Sequence, residues 1–305
     1  MKRVVVTGIG IVSSIGNNAQ EVVSSLHDAR SGIVAAEDYI RLGFRSQVHG
    51  SLKMNLDEVV DRRARRFQGD GAGYCWVAMN QAIADAGMEQ ADVSNPRTGL
   101  IVGSGGQYLG GTTDITRVWP IGNVSAAMKR DYTLVLKGTL ALSRTRFPRG
   151  TLSPMLDAIA RAPLWAEGID YGHGTGHGVG YFLNVHEGPQ SISQTVPDAH
   201  MAMQPGMITS IEPGLYRPGQ WGVRIENLVL NVPAKGAAAD GSFGEFLEFE
   251  TLTLCPIDTR CIDRSLLRND EAEWLNAYHA EVRRRLAPLV AGDALAWLNE
   301  RTQPV

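Results

Sequence analysis

Three of the seven histidines in this chain fall between Gly172 and His186, in His173-Gly-Thr-Gly-His177 and Asn184-Val-His186-Glu187-Gly188-Pro189. Two lone carboxylates follow inside short apolar runs, Glu212 in Ile211-Glu212-Pro213-Gly214 and Glu226 in Arg224-Ile-Glu226-Asn227. A charge inside an apolar run needs a partner, because burying it alone is costly. A cation held by imidazole and carboxylate ligands answers that need. The window Gly172–Asn227 therefore reads as most of a metal centre, and the rest of the chain must complete it.

The remaining composition narrows the class. At 305 residues and 44% hydrophobic, the chain is long enough for one large domain or two ordinary ones. A net charge of -3 argues against generic attraction to nucleic acid or to an anionic membrane. Cys75, Cys255 and Cys261 suit neither a zinc knuckle nor a disulfide framework, so a reducing cytoplasm is the expected compartment. Met1-Lys2-Arg3 before Val4-Val5-Val6 imitates a signal peptide, but Thr7-Gly8-Ile9-Gly10 breaks the run early. No run approaches transmembrane length. These features describe a cytoplasmic α/β protein.

Val4-Val5-Val6 reads as a short strand, and Ser13 in the third glycine's place spoils a dinucleotide fingerprint. Asn17 or Asn18 caps a helix to about Arg30, with Val22, Val23 and Leu26 on its buried side. Arg62-Arg63-Ala64-Arg65-Arg66 is better explained as a solvated helix face than as an anion site. Tyr74–Ala86 is a helix with Ala78, Ala82 and Ala86 on one side, stopped by Gly87, and Cys75 inside it is expected to be buried. Thr98–Gly103 is a second strand. The opening Met1–Asn18, Arg30-Ser31-Gly32, Gln81–Gly87 and Gly99–Gly106 together resemble the start of a β-ketoacyl-acyl-carrier-protein synthase, a type I/II condensing enzyme. The resemblance covers residues 1–106 and implies a thiolase-like fragment. The family's nucleophilic cysteine and its histidines have no counterparts here, and Cys75 is not that cysteine.

From Gln107 the character changes. Gln107-Tyr108, Thr112-Thr113-Asp114-Ile115-Thr116-Arg117, His173–Gly180, Phe182–Pro189, Glu212-Pro213-Gly214 and Val223–Asn227 resemble cytosolic X-prolyl aminopeptidases, the pita-bread metallopeptidases. The tail, Trp274–His279 with Trp297-Leu298, fits the same family. Both families carry a strand ending in a Ser-Gly-Gly-like sequence, so the chain reads as a chimera joined at Ser104-Gly105-Gly106. The expected fold is α/β plus α+β, a thiolase-like N-terminal fragment (1–106) on an incomplete creatinase/aminopeptidase domain (107–305). Helices are expected at about 126–146 and 153–167, short strands from about 180 to 257, and helices at the C-terminus.

The second resemblance implies metal ligands at Asp114, His177, Glu212 and Glu226. It also makes Glu212 the general base and gives His173, His186 and Arg224 substrate-facing or positioning roles. Taken alone, Asp114 reads as a turn cap; a structural histidine is the lesser alternative for His177 and His186, whereas His200, His279, Trp165, Trp274 and Trp297 read as ordinary surface or packing residues. The ligand set suits manganese, with cobalt or zinc as alternatives, and two close cations would activate a water against the scissile carbonyl. The implied substrate is a small peptide with proline at its second position; no nucleic acid or membrane partner is expected.

The departures from that family weigh against full activity. Its first metal-binding aspartate falls at Gly103, which has no side chain, and Gly110 and Tyr181 also depart from its pattern. One ion rather than two, with impaired peptidase activity, is the expected outcome. The alternatives are a condensing-enzyme fragment without its catalytic residues, or a fusion product without function. Surfaces shaped for two different cores also predict exposed apolar area and a molten or aggregating state.

Overall fold

The computed structural model describes residues 6–44, 46–65, 68–93, 100–108, 111–120, 122–180, 184–236 and 242–305, with the backbone alone at 90, 100–104 and 106–108. They form two compact units, Met1–Ser94 and Asn95–Val305.

The first unit contains α1 (Ala19–His27), β1 (Ile33–Ala35), α2 (Glu37–Arg41), β2 (Val48–Gly50), α3 (Leu56–Val59), α4 (Arg62–Arg65), α5 (Asp70–Asp85) and α6 (Gln90–Val93). Asn18 caps α1 by accepting the Glu21 N–H. Of the three apolar residues expected on its inner face, only Val22 is buried; Val23 and Leu26 are exposed. Ser25 takes the inner position instead and donates its hydroxyl to the Ile15 carbonyl at 2.6 Å. The helix expected from Tyr74 begins at Asp70, and its inner side is Gly73 and Val77. Cys75 lies on the opposite face and is exposed, which corrects the expectation of a buried thiol. Gly8 and Gly10 run against the alanine side of α5. A Cβ at Gly10 would stand 1.7 Å from the Ala78 carbonyl oxygen, so these glycines serve packing. The expected strand at Val4–Val6 lies mostly outside the described residues; Val6 is in no strand and is exposed.

The second unit contains β3 (Leu100–Tyr108), β4 (Gly111–Trp119), α7 (Ala126–Ser143), β5 (Phe147–Pro148), α8 (Asp157–Trp165), β6 (Gly176–His177), β7 (Ser191–Ile192), β8 (Ile208–Ile211), β9 (Gly214–Arg217), β10 (Trp221–Arg224), β11 (Asn227–Pro233), β12 (Phe246–Thr251), α9 (Asn269–Leu286) and α10 (Gly292–Arg301). Thr98 and Gly99 lie outside the described residues, and β3 runs on past Gly103 through Ser104–Gly106. The boundary expected at 106 therefore falls inside a strand, while the compact units divide at Ser94.

Ser125 caps α7 by accepting the Met128 N–H, and α7 buries Leu134, Val135, Leu136 and Leu140 in the larger core. The second expected helix opens as a 3₁₀ turn, Ser153–Leu156, before α8. A second core, with Leu142, Ile192, Ile211, Val229 and Leu247, lies against a four-stranded antiparallel sheet in the order β5-β12-β11-β8. Its register pairs Asn227 with Ile211, which sets Glu226 and Glu212 side by side one step beyond the paired residues. Trp274 stacks on Tyr278 and Trp297 packs on Trp119. Trp165 is 44% exposed, because Ala160, Arg161 and Leu164 form the inner side of α8. His200 is a surface residue bonded to Asp198, and His279 is fully buried.

Candidate metal centre

The hairpin of β3 and β4 supplies one wall. Its register sets Gly103 opposite Thr116 and Gly105 opposite Asp114, so positions 103, 105, 114 and 116 share one face. Thr116 Oγ1 donates to Glu226 Oε2 at 2.6 Å, and the Glu226 N–H donates back to the Thr116 carbonyl at 3.1 Å. The next side chain, Arg117, is only 3% exposed and points to the other face. Its guanidinium donates to the carbonyls of Glu226 (2.5 Å), Thr116, Cys255 and Pro256, to Asn227 Oδ1 and to the Tyr278 hydroxyl. This fork ties β4 to the strand end that carries Glu226 and to α9.

The glycine-rich loop supplies the second wall. A Cβ at Gly176 would stand 1.9 Å from the Ser210 carbonyl oxygen, so only glycine lets β6 approach β8 this closely. His177 N–H donates to Ser210 Oγ at 2.9 Å, and that hydroxyl donates to Glu212 Oε1 at 3.2 Å. His177 Nδ1 donates to the Gly178 carbonyl, which directs Nε2 toward Asp114 Oδ2 (3.4 Å) and Glu212 Oε1 (3.3 Å). The imidazole of His186, exposed to solvent, lies edge-on to that of His177 with ring centroids 4.2 Å apart.

A buried network supports the loop. Arg161, 1% exposed, donates to Asp157, to Asp170 and to the carbonyls of Tyr171 and His173. Thr175 Oγ1 donates to Asp157 Oδ1, and the Thr175 carbonyl accepts the Glu212 N–H at 2.7 Å. His173 and Arg224 meet at Tyr216, whose hydroxyl lies 2.9 Å from both His173 Nε2 and Arg224 Nε. Arg224 also approaches Glu212 Oε2 at 3.6 Å.

The electrostatics fit a cation. Burial, then the neighbouring Glu212 charge, pushes the Glu226 carboxyl up to about 7. Burial opposes a charge on His177, but its hydrogen bonds to Asp114 and Glu212 outweigh that and carry it up to about 10. Burial holds His173 below the usual histidine range. Glu226 Oε1 is buried without a hydrogen-bond partner, although such an oxygen normally has one. Two sets each offer one ligand atom per residue within 4.8 Å of one another: His177, Glu212 and Glu226, and Asp114, His177 and His186. The donors and the unpartnered oxygen fit a divalent ion.

All the residues singled out in the sequence converge here: Asp114, His177, Glu212 and Glu226 at the centre, His186 beside them, and His173 and Arg224 joined through Tyr216. The sequence reading overlooked Thr116, Arg117, Asp157, Arg161, Thr175 and Tyr216. Thr116 was within reach, because it stands two residues from Asp114 on the same strand face.

The sequence profile of metallopeptidase family M24 matches residues 29–232. The chain belongs to metallopeptidase family M24. The profile of the C-terminal region of peptidase M24 matches residues 245–305. Among relatives of this M24 chain, a protein described as "Probable Xaa-Pro aminopeptidase P" from Coprinopsis cinerea is 46% identical over 206 residues, 66% of this chain and 33% of its own. One with the same description from Fusarium vanettenii is 45% identical over 258 residues, 82% of this chain and 41% of its own. The crystal structure of X-prolyl aminopeptidase from Caenorhabditis elegans, a cytosolic enzyme with a di-nuclear active site, superposes with a TM-score of 0.64 at 40% identity. It covers 69% of this chain and 34% of that one. These matches support the pita-bread fold, and they span about a third to two-fifths of the relatives' length. The M24 match begins at residue 29, well before the boundary at 106 expected from the sequence.

Proposed function

We propose that this chain carries the metal-binding part of an X-prolyl aminopeptidase and hydrolyses the bond before a proline at the second position of a short peptide, with impaired turnover. One observation carries the reading. Asp114, His177, Glu212 and Glu226 converge from four separate stretches of the chain, with Glu226 Oε1 buried and unpartnered. A divalent ion held by Asp114, His177, Glu212 and Glu226 would supply Lewis-acid polarisation of the scissile carbonyl. Glu212, held by Ser210 and faced by Arg224, would accept a proton from the attacking water and pass it to the leaving nitrogen. His173 and His186 flank the developing oxyanion, and Arg224 holds the carboxylate side in place. Manganese suits the oxygen-rich donors, with cobalt or zinc as alternatives. Position 103 offers no ligand on the face of Asp114, so one ion rather than two is the reading. The cytosol is the proposed compartment.

The test is to load the purified chain with Mn²⁺, remove free metal by gel filtration, and measure ions per chain and Xaa-Pro cleavage. About one ion with weak cleavage is expected, and Gly103→Asp should raise both. Two ions in the parent chain would sink the one-ion reading, and none would sink the metal centre.

A second part of the proposal concerns residues 1–106, read as a condensing-enzyme fragment in a chimera joined at Ser104–Gly106. The small apolar cluster of the first unit, Leu56, Val60 and Val77, favours it, because a piece cut from a larger core leaves its other faces uncovered. No carrier-protein binding or condensing activity is expected from it. If a genomic amplicon across Ser104–Gly106 cannot be recovered, the join is an artefact and the whole is a fusion product without function.

A further inference from the structure

Resting on the metal-centre reading, we propose that the centre has two mutually exclusive ion positions sharing His177 Nε2, and that Asp114, His177 and His186 form the second, selective for zinc or cobalt. His177 Nδ1 is committed to the Gly178 carbonyl, so the ring has one nitrogen to offer, and one lone pair serves one ion. The two ligand sets that include His177, whose Nε2 lies 3.4 Å from Asp114 and 3.3 Å from Glu212, differ in chemistry. His177, Glu212 and Glu226, with Asp114 Oδ2 3.4 Å from the same nitrogen, give one imidazole and up to three carboxylates, a set for a harder ion such as manganese. Asp114, His177 and His186 give two imidazoles and one carboxylate, a set that borderline ions prefer and that leaves a coordination position open.

Gly103 is the reason this second set matters. The face that presents Asp114 carries no other carboxylate across the hairpin, since its neighbours there are Gly103, Gly105 and Thr116. An ion drawn to Asp114 completes its shell from the opposite side, where the His186 ring already lies 4.2 Å from that of His177. An ion in the first position leaves His186 free to face substrate; an ion in the second takes His186 as a ligand.

The experiment uses the full chain with its histidines labelled with ¹⁵N, titrated separately with zinc and manganese salts. Long-range proton–nitrogen spectra count the ring nitrogens that shift with one equivalent of zinc, assigned with His177→Gln and His186→Gln variants. Two shifted imidazoles, His177 and His186, are expected. His186→Gln should weaken zinc binding by at least about tenfold, as befits a lost ligand, and leave manganese binding within about twofold. His186 is exposed, so the melting temperature of the metal-free variant should not move; if the variant misfolds, the parent's imidazole count decides alone. Zinc bound through His177 without His186 overturns the second position and leaves the metal centre standing. If neither imidazole shifts, both fail.

Discussion

At Glu226 one carboxylate oxygen accepts from Thr116 at 2.6 Å and the other has no hydrogen-bond partner. The threonine therefore aims the free oxygen. Thr116→Val removes that hydrogen bond at nearly constant volume, and manganese affinity measured by equilibrium dialysis should fall about tenfold while the fold persists. Metal binding should also release protons, because His177 stays protonated up to about 10 and Glu226 up to about 7 in the metal-free centre. An ion bound by both displaces about one proton near pH 8.5 and about two near pH 6, so affinity strengthens as pH rises. Calorimetric titration in buffers of different ionisation enthalpy reads this directly. Proton release that does not change between those pH values would contradict the assignment.

At the scale of elements, the centre depends on how closely its supports approach. Gly138 lies where α7 meets α8, and a Cβ there would stand 2.5 Å from the Ala160 carbonyl oxygen. Glycine to alanine inside a helix normally stabilises by up to about 1 kcal/mol. Overpacking at this contact costs about 1–3 kcal/mol and should win, so Gly138→Ala is expected to lower the urea midpoint. Arg161 on α8 plays a different part, holding the loop of His173 and His177 through two backbone carbonyls and Asp157. Arg161→Met leaves Asp157 buried without its cation, a loss of about 3–5 kcal/mol. Chemical denaturation should show that loss, with weaker metal binding in whatever remains folded. An unchanged stability curve would mean the network is incidental to the loop.

Across the whole molecule, the two units differ in how much they bury. The second holds two cores around α7 and the four-stranded sheet, whereas most of the exposed large apolar side chains among the described residues belong to the first, including Val23, Leu26, Trp76 and Met79. Hydrogen exchange should therefore be faster in α1 and α5 than in α7, and proteolysis should begin in the first unit. His279, fully buried with its Nε2 accepting the Ile257 N–H, is held down to about 4 by burial and by the nearby Arg117. Its pKa in the unfolded chain is about 6.5, so the unfolded state binds the extra proton between those values. The stability this residue contributes is whole above about pH 6.5 and is lost as pH falls toward 4, a swing of about 3 kcal/mol. His279→Gln should flatten that part of the profile in denaturant melts.

Much of the centre was legible in the sequence, for reasons local to the chain. His173, His177, His186, Glu212 and Glu226 lie within fifty-four residues in motifs whose glycines and apolar neighbours have few other uses. The alternation that puts Asp114 and Thr116 on one strand face is equally local. Helix faces in the first unit were not legible, because a 3.6-residue period says which residues align and not which side finds a partner; Cys75, Val23 and Leu26 are exposed for that reason. Arg117 was out of reach for another: its six acceptors come from Thr116, Glu226, Asn227, Cys255, Pro256 and Tyr278, most of them over a hundred residues away. The sequence by itself determined the donor types and the absence of a ligand at position 103. Only the tertiary structure decided that one nitrogen of His177 stands between two ligand sets, because that depends on the Gly178 carbonyl holding the ring and on strands from distant parts of the chain meeting around it.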